Sequence, residues 1–181
     1  MPTFKKTDRT HEYEQLGKHP ELNSELVNAT DRVAALIGAT IIDLHLERLL
    51  SAFLIDDGKE VKALISGKDQ NAALGSLAPR ARAAYCLGLV SKVEFEDINT
   101  IRNIRNAFAH QLFDCSFETP EVKNSCESLK LFTHIAKPPE EFTTRVKFTF
   151  AVISLESTLS HRLSRVVRLP NAFEFTRPRD A

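Results

Sequence analysis

Apolar positions recur along this chain at three- and four-residue steps, and almost no stretch alternates in twos, so the pattern predicts helices throughout. The longest apolar run, Asp31 to about Ile55, predicts a central helix with Asn28, Thr30 or Asp31 as its N-cap and Asp56-Asp57-Gly58 closing it. A shorter helix follows at Lys59 to Ile65, stopped by Ser66-Gly67, and Lys68 to Ala78 reads as a loop. Pro79 suits the first turn of a helix that runs through Leu89. Ser91-x-x-Glu94 is a capping box that opens a helix from Lys92 to about Leu112. Thr119-Pro120-Glu121 starts a short helix, and a last long one spans about Glu140 to Arg168 before Pro170. The expectation is an all-α, single-domain helical bundle with long central and C-terminal helices over 28–169. A polar segment, 1–27, with a short helix from about Glu21, precedes it, and an extended tail, 170–181, follows.

One helix breaks its own pattern. Ile98, Ile101, Arg105, Phe108 and Leu112 follow helical spacing, which places Arg105 on a stripe that faces a core or an interface. A desolvated guanidinium there requires an anion, because it cannot shed its proton. Asn106 and His110, four residues apart, lie one above the other on the adjoining face, and His110 falls in the last turn, where it can cap its own helix. The unit is therefore a buried clasp or a site.

The central helix offers partners for it. Thr40, Asp43, Glu47 and Ser51 form a polar line on an apolar rod. Asp43 or Glu47 can neutralise Arg102 or Arg105 inside the bundle, or orient His110 from behind; the plainer reading puts Asp43, Glu47 and Arg48 in water at the helix edge. His45 lies nearly opposite Asp43 and reads as a satisfied or partly exposed histidine. Near the C-terminus His161, Arg165 and Arg168 share a predicted helical face beside Arg162. These cations either contact phosphates or form a solvated face that complements a helix end.

Composition narrows the function classes. The 181 residues are 43% hydrophobic, enough for one domain burying roughly 70% of its unfolded surface. Lys plus Arg equals Asp plus Glu, so no global field holds nucleic acid. The first ten residues carry no apolar signal core, and Asp43, His45, Glu47 and Arg48 exclude the central helix as a membrane span, so the protein reads as cytoplasmic. Cys86, Cys115 and Cys126 match no zinc spacing, and reduced, mostly buried thiols are expected; Cys86, beside Tyr85, reads as core. Phe142, Phe148 and Phe150 also read as core, whereas Phe108 and Phe113 can line an interface near the arginine motif. No phosphate-binding glycine loop, His-Glu-x-x-His or Gly-x-Ser-x-Gly motif occurs, and no metal or cofactor is expected.

The run from Leu77-Ala-Pro-Arg-Ala-Arg-Ala-Ala-Tyr-Cys-Leu-Gly-Leu-Val-Ser-Lys-Val-Glu-Phe-Glu-Asp-Ile to Ile104-Arg105-Asn106 and His110, with the Asp31–Leu54 helix before it, resembles the mannitol operon repressor family over about 28–168. That resemblance implies an all-helical regulator of a sugar-alcohol operon without a recognisable helix-turn-helix. With no zinc-finger spacing or basic-zipper heptad either, it implies action through a protein partner rather than direct sequence-specific DNA binding. A non-enzymatic regulator, expected as a homodimer, is the favoured reading. The same Arg-x-x-x-x-His also resembles HEPN-type helical domains, whose catalytic members pair two chains and cleave RNA without metal. That alternative makes Arg105 a phosphate stabiliser, His110 a general base and Asn106 an assistant. Many catalytic members carry a tyrosine two residues past the histidine, where this chain has Leu112. Five helical residues set Arg105 and His110 roughly 140° apart about the axis, so their convergence requires a second chain.

Overall fold

The structure is a computed structural model that describes residues 24, 26–66, 72–111, 114–131 and 142–170. Among the described residues six helices follow a helical turn at 26–28: α1 (Asp31–Phe53), α2 (Gly58–Ile65), α3 (Leu77–Cys86), α4 (Lys92–His110), α5 (Pro120–Glu127) and α6 (Thr144–Leu163). No strand occurs among the described residues, so the all-α expectation is met.

Helix α1 is the axle of the bundle. Its buried positions, from Ala34 and Ala35 through Ile41, Ile42, Leu46, Leu49 and Leu50, cover more than one face, and it packs against α6, α4 and α3. The packing against α6 is tight at Gly38, where a Cβ would stand 3.0 Å from the Phe148 ring and from Val152 Cγ2 of α6. A glycine here lets the two backbones come together. Phe148 then continues into a buried aromatic column with Phe117 and Phe108, successive ring centroids lying 5.1 Å apart. Phe108 is thus core rather than interface, and Phe142 is exposed; Phe113 lies outside the described residues.

Local chemistry sets most helix ends where the pattern places them. Thr30 is the N-cap of α1, and Asp57 caps α2 by accepting from the Glu60 amide at 3.1 Å. The Ser91/Glu94 capping box is formed in both directions. Helix α3 begins two residues before Pro79 and stops at Cys86 rather than Leu89, because Gly88 takes φ +71° and closes a Schellman turn. In it the Gly88 amide donates to Tyr85 O and the Leu89 amide to Ala84 O. That early stop exposes Tyr85 and Cys86, so Cys86 is not core; Tyr85 stacks on Phe95 instead. Cys126 is the buried thiol, and burial pushes its pKa up to about 12.

Helix α6 ends at Leu163, short of the expected Arg168, because the chain turns back onto the end of α1. The Leu169 amide donates to Phe53 O at 2.7 Å, and Arg168 pairs with Asp56 at 2.7 Å. At the opposite end Arg145 binds Asp31 at 2.9 Å and the carbonyls of Val27 and Ala29, while Asp31 accepts from the Phe117 amide. The predicted start of the first helix at Glu21 and of the last at Glu140 lie outside the described residues.

Candidate functional site: a cationic cleft beside a buried arginine

The buried stripe of α4 runs Glu94, Asp97, Ile98, Ile101, Ile104 and Phe108. Ile104 therefore takes the inward position that the spacing also allowed for Arg105, and Arg105 is exposed on the flank. The polar groups on the buried face are acids. Glu94 receives a bidentate pair of hydrogen bonds from Arg162, at 2.8 and 2.7 Å, while Arg162 also donates to Leu89 O. Burial alone would raise the Glu94 carboxyl, but Arg162 and the Ser91 amide and hydroxyl outweigh it and hold the pKa below its ordinary value. Asp97 accepts from the Lys130 and Leu131 amides, yet there burial prevails and its pKa is raised.

The expected C-terminal cations differ in their surroundings. Arg162 is bound to Glu94, Arg168 is paired with Asp56, and Arg165 is exposed beyond the end of α6. The carbonyls at the end of α4 are capped by Arg32 of α1, which donates to Phe108 O at 2.7 Å and to Gln111 O at 2.6 Å. His110, expected to cap this end, is exposed. His45 is buried, its Nδ1 lying 2.8 Å from Ile41 O, which satisfies the ring as an N–H donor.

Asp43 and Glu47 form ion pairs with neither Arg102 nor Arg105, nor do they lie free in water. Their partner is Arg80 of α3, a residue only 2% exposed that the sequence pattern did not single out. Arg80 Nη1 lies 2.7 Å from Asp43 Oδ1 and Nη2 lies 2.9 Å from Glu47 Oε2. Its Nε donates to Leu74 O at 2.8 Å and its Nη2 to Ile65 O at 2.7 Å. The Asp43 contact is a close ion pair without hydrogen-bond alignment. One guanidinium thus ties α1, α3, the end of α2 and the segment before α3 together. The available clue was an alanine-rich helix carrying Arg80 near a polar line that needed a counter-charge.

Arg80 braces one wall of a cleft of about 350 Å³, lined by Ala39, Thr40 and Asp43 of α1, residues 75–78 at the start of α3, and Arg102, Arg105 and Asn106 of α4. The expected site residues Arg105, Asn106, Arg102 and Asp43 are therefore brought together; His110 and Glu47 are not among the lining residues. Arg105 Nη1 donates to Asn106 Oδ1 at 3.0 Å and Arg102 Nη2 to Asn103 Oδ1 at 3.2 Å. Neither arginine pairs with a carboxylate among the described residues. No group of His, Cys, Asp or Glu among those residues is placed to hold a metal, and no helix there is long and apolar enough to cross a membrane.

Fold and cleft together define an all-helical bundle with an open cationic recess at its side. The chain belongs to the mannitol repressor family, whose model matches residues 22–168. A solved chain from the X-ray structure of the MtlR-HPr complex from Escherichia coli has the same fold, with a TM-score of 0.62 at 19% identity over 81% of this chain and 99% of that one. No curated protein matches this chain.

Proposed function

We propose that this protein is a mannitol-repressor-type regulator that works by docking a protein partner, a small carrier protein of the HPr kind, and not by reading DNA bases itself. The family membership over 22–168, joined to the fold it shares with a chain solved in a complex with HPr, is the observation that carries this reading. The structure offers no contrary chemistry. Of the C-terminal arginines that stood as candidate nucleic-acid phosphate contacts, Arg162 is engaged by Glu94 and Arg168 by Asp56. The zero net charge leaves no broad field to hold a duplex. A partner-docking regulator needs a rigid frame, and α1 supplies it by packing on α3, α4 and α6.

The test is calorimetric titration of the purified chain with HPr from the same cells. A saturable complex at micromolar or tighter Kd, roughly −8 kcal/mol or better, is the expected result. No heat and no co-elution between two folded proteins would remove the reading.

A further inference from the structure

We propose that the cleft between the start of α3 and the middle of α4 is a binding site for a compact phosphate monoester. The polar side of the cleft is dominated by cations and amide donors. Arg102 and Arg105 enter it from successive turns of α4, and neither has a carboxylate partner among the described residues. Arg102 Nε is buried and hydrogen-bonds no atom among them, so this arginine carries an orphaned cationic N–H beside the cleft that it lines. Asn106 turns its Oδ1 toward Arg105, which leaves its amide N–H groups as donors.

The opposite wall is the first turn of α3. Ser76 is its N-cap but makes no side-chain cap hydrogen bond, and the helix's first backbone closure runs from the Arg80 amide to Ser76 O at 3.2 Å. The amides of Leu77 and Ala78 precede that closure and have no intrahelical acceptor, and they lie at the positive end of the helix dipole. Two guanidiniums facing helix N-terminal amides across a recess suit an oxyanion with several acceptor oxygens and more than one negative charge. A phosphate monoester meets both demands, and a carboxylate meets them less well.

The acid in the lining does not reverse this sign. Asp43 is the sole carboxylate among the lining residues and is already engaged by Arg80 at 2.7 Å. With Thr40, whose hydroxyl donates to Leu36 O and keeps its lone pairs, it offers acceptors to the polar remainder of a ligand. A recess of about 350 Å³ falls at the small end of ligand-sized pockets, which restricts that remainder to a few atoms. The site is independent of partner docking, and loss of HPr binding would leave it standing.

Inorganic phosphate titrated into the 15N-labelled full chain tests this, with amide and arginine Nε resonances followed by NMR. The expected result is saturable shifts confined to Ser76, Leu77, Ala78, Arg102 and Arg105, with acetate at equal concentration producing none. Arg102→Gln and Arg105→Gln, at positions outside the buried face of α4, are expected to keep the remaining spectrum and weaken phosphate binding at least tenfold each. Shifts that do not saturate, that acetate reproduces, or that survive both substitutions would overturn the proposal. So would single-stranded RNA shifting a wider surface without displacement by inorganic phosphate, which would assign the arginines to a nucleic-acid backbone.

Discussion

At the scale of single residues, the molecule turns on where each charge finds its counter-charge. Glu94 closes the capping box of α4 and anchors Arg162 of α6 through both oxygens while only 5% exposed. Its pKa is lowered in the fold, so the stability it contributes is complete above the ordinary value of 4.5 and is lost as the pH falls through the depressed folded value. Glu94→Gln is expected to cost about 2 kcal/mol near neutrality, at the low side of a broken buried pair because Arg162 keeps contact with water. In acid the difference between parent and variant should vanish. Denaturant titrations of both proteins from neutral to acid pH check this, and subtraction removes the contribution of Asp97, whose raised pKa has the opposite sign and is common to both. The capping half of Glu94 was legible in the sequence because its partner is three residues away. Arg162 was not, because nothing local distinguishes a cation that folds back across 68 positions from one left in solvent. Arg80 escaped notice for the same reason: its four partners lie on α1 and on backbone carbonyls outside α3.

At the scale of helices, periodicity carried the architecture and failed at two kinds of place. It could not choose between Ile104 and Arg105 as the inward residue of α4, since both extend a stripe from Ile101 at helical steps; the acids Glu94 and Asp97 on the buried face had disguised the stripe's centre. Nor could it end α6 correctly, because the stop comes from the return of Leu169 to Phe53 rather than from a local breaker. The seam of α1 with α6 depends on Gly38 in the same non-local way. Gly38→Ala gains about 1 kcal/mol of helix propensity but drives a methyl group onto Phe148 and Val152, and overpacking of this kind costs roughly 1–3 kcal/mol. With Phe148 fully buried in the aromatic column, the ring has little room to yield. A net loss of about 1 kcal/mol in urea unfolding is expected; a stabilised variant would show that the seam is looser than its contacts imply.

At the scale of the whole molecule, the described residues form a helical frame that holds a cationic recess. The arginines and asparagine of α4 that drew attention in the sequence line one space with the start of α3, and His110 is not among the residues that line it. Family and fold were legible because helical spacing, caps and the Leu87–Val90 turn are local signals. The cleft was not, since it exists only once α1, α3 and α4 are packed. Regulation through a protein partner, without base readout, is tested most directly by fluorescence anisotropy of the free chain on its own operon's promoter duplex and on a scrambled duplex. Equal, weak, salt-sensitive binding to both is the predicted result. Preference for the promoter by a factor of roughly 10³ or more, the range of sequence-specific binders, would contradict it.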